Sequence, residues 1–180
     1  MLVLIKGAGD LATGTAVRLY RAGIKVVMTE VAQPTAVRRT VAFSQCMYDG
    51  AAQVEGISAR RAEDAGAARR ALERGEVPVL CDPEAAILRE LPFDGVVDAI
   101  LAKRNLGTAI TDAPVVLALG PGFTAGVDCH GVVETMRGHD LGRLLTRGSA
   151  VPNTGVPGDV GGYTTQRIIR APADGVFEPL

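Results

Sequence analysis

Gly7 and Gly9 stand one residue apart in the stretch Gly7-Ala8-Gly9-Asp10-Leu11-Ala12, and Glu30 follows 23 residues after Gly7. The spacing fits G-x-G-x-x-G/A. In that pattern the first glycine permits a tight turn and the second lets a pyrophosphate approach the main chain. A small third residue, here Ala12, lets the following helix pack close to the strand. The first-turn N–H groups, at Asp10 and Leu11, then meet the anion. A carboxylate at position 30 accepts hydrogen bonds from a ribose diol and favours an NAD-like over an NADP-like ribose. Arg38 and Arg39 would reverse that preference if they swung over the site. The plain alternative is a tight turn, with Glu30 a solvated charge at a strand end.

Further residues offer chemistry of a weaker kind. Gly120-Pro121-Gly122-Phe123 ends another apolar run, and reads either as a second wall of the same crevice or as a rigid turn. Arg137, His139 and Arg143 lie in a glycine-rich setting and are of the charge type that grips an anionic cofactor. Asp128, Cys129 and His130 are consecutive, so in an extended segment they point alternately and cannot all ligate one metal. The two histidines, nine residues apart, match no usual zinc spacing, and no metal site is expected.

No G-x-S-x-G is present, and Ser44, Ser58 and Ser149 have no histidine near them in sequence. Lys103, Asp112 and His139 are candidate acid–base groups at strand ends, but none has an evident orienting partner, so no catalytic residue is assigned. Asn105 could likewise face the crevice. Cys46, Cys81 and Cys129 form no C-x-x-C pair, which supports neither a disulfide framework nor a thiolate zinc site. They are expected to be dispensable.

The glycine turn needs a strand before it and a helix after it. "LVLIK" (2–6) reads as a buried strand, and "DLATGTAVRLYRAG" (10–23) places Ala12, Ala16, Leu19 and Ala22 at helical spacing, with Gly23 as a stop. "IKVVMTE" (24–30) is a second strand, and a connection long enough to hold a helix demands parallel pairing. Helices are expected over 34–50, between Pro34 and Gly50, and over 63–76 and 83–91. Residues 54–62 read as extended, and 77–82, 95–101 and 113–122 as strands. "GHDLGR" reads as easily as a helix start, with Asp140 as its N-cap.

This alternation predicts an α/β fold: a Rossmann-like open parallel sheet with helices on both faces over residues 1–149. Residues 150–180 are expected to be a linker and the incomplete start of a β-rich domain. Within them 151–164 is a loop, and a strand, a turn at 173–175 and a further strand follow. The pattern breaks off there, as in a piece of a longer polypeptide.

The bulk numbers agree with a globular domain. Hydrophobic residues are 47% against 22% charged, which is ample for a core. Trp is absent and aromatics are 4%, so the core must come from Val, Leu, Ile and Ala, as in a covered parallel sheet. Net charge is -1, which argues against nucleic acid or anionic membrane as partners. With no signal-peptide core and no apolar run of about 18 residues, a soluble cytoplasmic protein is expected.

Taken in order, "KGAGDLATGTAVRLYRAG", "VVMTE", "VRRTVAFS", "GPGFTAGVD", "VETMRGHDLGR" and "NTGVPGDVGG" resemble the YqeB family of selenium-dependent molybdenum hydroxylase system proteins. That family is similar in turn to the Rossmann-type domain of XdhC/CoxI maturation factors, which hand the molybdenum cofactor to a hydroxylase. "IIRAPADGVFEP" resembles the opening of the family's C-terminal part, itself similar to barrel-sandwich domains. The resemblance implies an accessory protein whose partners are a molybdenum hydroxylase and its cofactor-maturation proteins. It leaves NAD or a molybdopterin dinucleotide as the ligand, and a homodimer open. The competing expectation is an NAD-dependent oxidoreductase acting on a small molecule. The missing acid–base pair favours the carrier.

Overall fold

In the computed structural model, which describes residues 1–175, nine strands form one sheet in the order β3-β4-β5-β2-β1-β6-β7-β8-β9. The strands are β1 Leu2–Lys6, β2 Lys25–Glu30, β3 Ala51–Val54, β4 Ile57–Ala62, β5 Val77–Cys81, β6 Gly95–Asp98, β7 Val115–Leu119, β8 Gly131–Val133 and β9 Leu144–Leu145. All neighbours from β4 through β8 pair in parallel, and only the outermost pairs, β3–β4 and β8–β9, are antiparallel. The protein is thus mixed α/β with an open, mostly parallel sheet. β1 lies between β2 and β6, so the order reverses there and a crevice forms at the strands' carboxyl ends.

Alternation along β1 splits the core in two. Val3 and Ile5 join a cluster with Ala12, Ala16, Met28 and Phe43, whereas Leu4 joins Val27, Ala68, Ile87, Val96 and Val116. Helices are few among the described residues: α1 Asp10–Arg21, α2 Cys46–Asp49 and α3 Ala65–Glu73. α1 buries Ala12 and Ala16 as expected and packs Leu19 against the same cluster; Thr13 and Val17 are buried beside them, whereas Ala22 is exposed beyond the helix end. Gly23 stops the helix as expected, at φ +79°. α3 starts at Asp64, whose carboxylate accepts the Ala67 N–H at 2.6 Å, and buries Ala65, Ala68 and Ala71.

Four expectations are corrected. Residues 34–50 are not one helix but two 3₁₀ turns, Arg39–Val41 and Phe43–Gln45, leading into the single turn of α2. The cause is tertiary: Phe43 N–H donates to Thr13 Oγ1 at 2.9 Å and Ser44 N–H to the Ala8 carbonyl at 2.8 Å, so the segment is clipped to the glycine turn. Residues 83–91 hold only a 3₁₀ turn, Ala86–Arg89, whose Ala86 and Ile87 N–H groups bond the Asp82 carboxylate. The 127–145 stretch contains no helix but β8, a turn and β9. Towards the C-terminus a 3₁₀ turn at Thr165–Arg167 replaces the start of the expected strand, and the strand after Gly175 lies outside the described residues.

Thr13 is almost fully buried and its hydroxyl donates to the Ala8 carbonyl at 3.1 Å while accepting from Phe43. Thr13→Val leaves that buried N–H without a partner. We expect a loss of about 1–3 kcal/mol, read as a lower urea midpoint with an unchanged slope.

Two clefts at the carboxyl edge of the sheet

Gly7 and Gly9 do different work. Gly7 has φ +93°, and a Cβ there would lie 3.0 Å from the Ala99 carbonyl oxygen, so the β1 turn packs directly on the chain leaving β6. Gly9 has φ -63°, and a Cβ there would meet nothing within 4 Å. Its α-carbon therefore faces open space, beside a cleft of about 340 Å³ lined by Gly7, Gly9, Leu11, Ala12 and Glu30 among others.

Gly9 supplies no capping side chain to α1. The Leu11 N–H is met by the Asp10 carboxylate at 2.9 Å, and Thr13 N–H returns to the Gly9 carbonyl at 2.8 Å. The amides of Asp10 and Ala12 have no protein partner among the described residues, as an anion-accepting helix start requires. Arg38 pairs with the Asp10 carboxylate and so offsets the negative charge at this point. Glu30 Oε2 accepts the Ala8 N–H at 2.9 Å and Oε1 the Val31 N–H at 2.8 Å. The carboxylate is thereby aimed back at the glycine turn, with lone pairs left over for hydroxyl donors.

Gly120, Gly122, Phe123, Arg137 and His139 do not line this cleft. A second one, in two lobes of about 270 and 380 Å³ that share Lys103, Pro121, Pro152 and Asn153, gathers Gly122, Phe123 and Arg137. Phe123 contributes from the core, where it is buried, and Gly120 makes room for Thr135, whose Oγ1 would be 2.7 Å from a Cβ at that position. His139 is exposed and lines neither cleft.

Between the clefts runs the loop 99–108, held by a buried polar bolt. Lys6 Nζ donates to Thr108 Oγ1 at 2.6 Å, and Thr108 Oγ1 donates to Asp98 Oδ2 at 2.6 Å, with Lys6 and Asp98 charges 3.9 Å apart. Asn105 closes the loop by accepting the Gly107 and Thr108 N–H groups. Local sequence pattern assigns no role to Lys6, Thr13, Asp98, Thr108 or Glu134. Charged residues inside otherwise apolar runs were the available signal for Lys6, Asp98 and Glu134.

Glu134, 4% exposed, follows β8 and accepts three backbone N–H groups: Thr135 and Met136 at 2.7 Å and Val151 at 2.8 Å. Burial works against its charge, but these three donors prevail and hold its carboxyl below the usual glutamate value. Three other candidates have structural partners. Asp128 accepts the Thr124 N–H at 2.7 Å, His130 Nδ1 accepts the Val116 N–H at 3.0 Å, and Asp112 accepts the Ala109 N–H at 3.0 Å. Burial pushes the Cys46 thiol up to about 12 and raises that of Cys129, while Cys81 is exposed.

Two outcomes are expected. Lys6→Met strips Asp98 and Thr108 of their cation, and we expect about 3–5 kcal/mol of stability to be lost in chemical denaturation. Because the folded pKa of Glu134 is depressed, its contribution is full above the unfolded value of about 4.3 and disappears as pH falls through the folded one. Glu134→Gln, which cannot ionise, should flatten the stability–pH curve on that acid side, measured by thermal melts from pH 6 to 2.

No family model matches the chain, and no solved structure matches it. Over 176 residues, 98% of its length, the chain is 57% identical to an Escherichia coli K12 protein named "Uncharacterized protein YqeB". Those residues make up 32% of that relative, so the chain spans about a third of its length. No helix among the described residues is long and apolar enough to cross a membrane. The likeness supports the YqeB family name that the ordered motifs carry.

Proposed function

We propose that this chain binds a dinucleotide-type ligand, NAD or a molybdopterin dinucleotide, at the Gly7–Ala12 turn. We further propose that it serves as an accessory protein in maturing a selenium-dependent molybdenum hydroxylase. The observation that carries the ligand reading is the open main chain at Gly9 facing the same cleft as the Glu30 carboxylate. A pyrophosphate needs the first and a ribose diol the second. The strand order β5-β2-β1-β6-β7-β8 supports the finer, Rossmann-like description of the sheet, since it reverses at the strand that carries the turn. Arg38, paired to Asp10, stands at the mouth as the sequence allowed, but it occupies the helix start rather than the Glu30 side.

The hydroxylase part of the proposal rests on the family resemblance of the motifs. It carries with it the division into residues 1–149 and 150–180, the cytoplasmic setting, and a molybdenum hydroxylase with its maturation proteins as partners. A carrier rather than an NAD-dependent oxidoreductase is favoured because Asp112 is engaged by a backbone amide and His139 lines neither cleft.

Gly9→Val fills the space the pyrophosphate requires while meeting no protein atom within 4 Å of its Cβ. Calorimetry with NAD and a pterin dinucleotide should show binding to the native chain, and none to Gly9→Val at an unchanged melting temperature. Equal affinity in the two proteins would refute the site. Glu30→Ala should weaken the ligand by about 1–3 kcal/mol and leave inorganic phosphate binding untouched. In cells, deleting the protein should leave a hydroxylase that is made but inactive. Full hydroxylase activity there, beside NADH production by the purified protein, would favour the oxidoreductase.

A further inference from the structure

Lys103 and Arg137 line the second cleft from two separate segments, one after β6 and one after β8. Among the described residues neither side chain enters an ion pair or a hydrogen bond. No Asp or Glu lines either lobe of this cleft, whereas the glycine-turn cleft is lined by Asp10 and Glu30 and by no Lys or Arg. The chain carries 19 basic and 20 acidic residues, so composition does not explain the segregation. Two like charges facing one concavity whose lining carries no carboxylate raise the local concentration of anions, with the Glu134 carboxylate buried behind the wall and turned to the amides of residues 135, 136 and 151.

The cleft is also built rather than incidental. Leu101 and Lys103 have φ +60° and +62°, two of the four non-glycine residues with positive φ among those described. Such strain persists only where the surroundings enforce it. Gly122 is part of the enforcement, since a Cβ there would come within 2.6 Å of the Arg104 backbone, and the Thr108 bolt holds the loop's other end. The opposite wall is set by Glu134, which ties residues 135–136 to Val151 through three amides. Strain and buried charge thus shape both segments from which Lys103 and Arg137 line the cleft.

We propose that this second cleft is a binding subsite for a phosphate-type oxyanion, with Lys103 and Arg137 as its charge partners and Thr135 and Asn153 as neutral donors. A tetrahedral dianion presents separate oxygens to two walls, which a planar carboxylate does less well. The assignment goes beyond the dinucleotide reading and stands whether or not the glycine turn binds one. β8 is three strands from β1, about 14 Å at the usual strand spacing, so the oxyanion can be free phosphate or a phosphate ester on a larger molecule.

Amide-resolved NMR titration of the full chain with inorganic phosphate, at constant ionic strength against chloride, tests this. We expect saturable shifts at Lys103, Thr135–Arg137 and Val151–Thr154, retained in Gly9→Val. Lys103→Gln and Arg137→Gln, both at exposed positions and so without cost to the rest of the spectrum, should each weaken the phosphate affinity by about tenfold. A nucleoside monophosphate that binds more tightly than phosphate, with the same dependence on Lys103 and Arg137, identifies an ester; equal affinity identifies the free anion. Shifts confined to residues 9–12, chloride-equivalent shifts, or affinity unchanged in both variants would overturn the subsite. Loss of dinucleotide binding alone in Gly9→Val bears only on the glycine turn.

Discussion

The Lys6–Thr108–Asp98 bolt is the interaction on which both clefts depend. Its two charges sit at the carboxyl ends of β1 and β6, the neighbours between which the sheet order reverses, and both are almost fully buried. A crevice at a reversal point is open by default, because the chains leaving the two strands run off in different directions. Here the hydroxyl of Thr108 draws the returning chain back between them. Buried charge is a poor source of net stability, but it tolerates few alternative arrangements. The bolt therefore converts a generic opening into two separate concavities of opposite charge character.

The glycine turn is pinned from three sides. Gly7 N–H donates to the Thr29 carbonyl at 2.9 Å, its α-carbon packs on Ala99 and Ile100, and the 42–44 segment bonds to Ala8 and Thr13. Every one of these contacts avoids Gly9. What remains at that position is a rigid patch of bare main chain, with the entropy of ordering it already spent by the fold. Glu30 gains the same pre-organisation from the amides of Ala8 and Val31.

The first thirty residues were legible because periodicity there agrees with the tertiary structure: an apolar strand, a stripe of small residues and another apolar strand. Agreement failed where distant partners intervene. Residues 34–50 have the flanks of a helix, but Thr13 and Ala8 capture their amides, and no local pattern announces a partner 30 residues away. The β3–β4 hairpin hid in "VEGI" because Glu55, an unusual residue at φ +50°, shares the two-residue turn with Gly56 at φ +79°. β8 is only three residues long, too short for any alternation to register. Gly7, Gly9 and Glu30 line one cleft, and their spacing is visible in the sequence alone. Lys103, Arg137 and Val151 line one cleft through the contacts of Glu134 and Gly122, which local sequence does not show; read singly, Lys103 is a strand-end lysine, Arg137 a candidate grip on an anionic cofactor and Val151 the start of a loop.

Both margins of the sheet are antiparallel, and both are short: four residues in β3 and two in β9. An unpaired strand edge is a row of donors and acceptors that invites another chain to extend it, and the invitation grows with length. The parallel interior, with its long apolar runs, would be a hazardous edge if exposed. By folding one short strand back at each side, the protein offers an incoming strand only a few hydrogen bonds on either flank. Among the described residues, neither margin therefore presents a long apolar edge, which limits strand-by-strand aggregation.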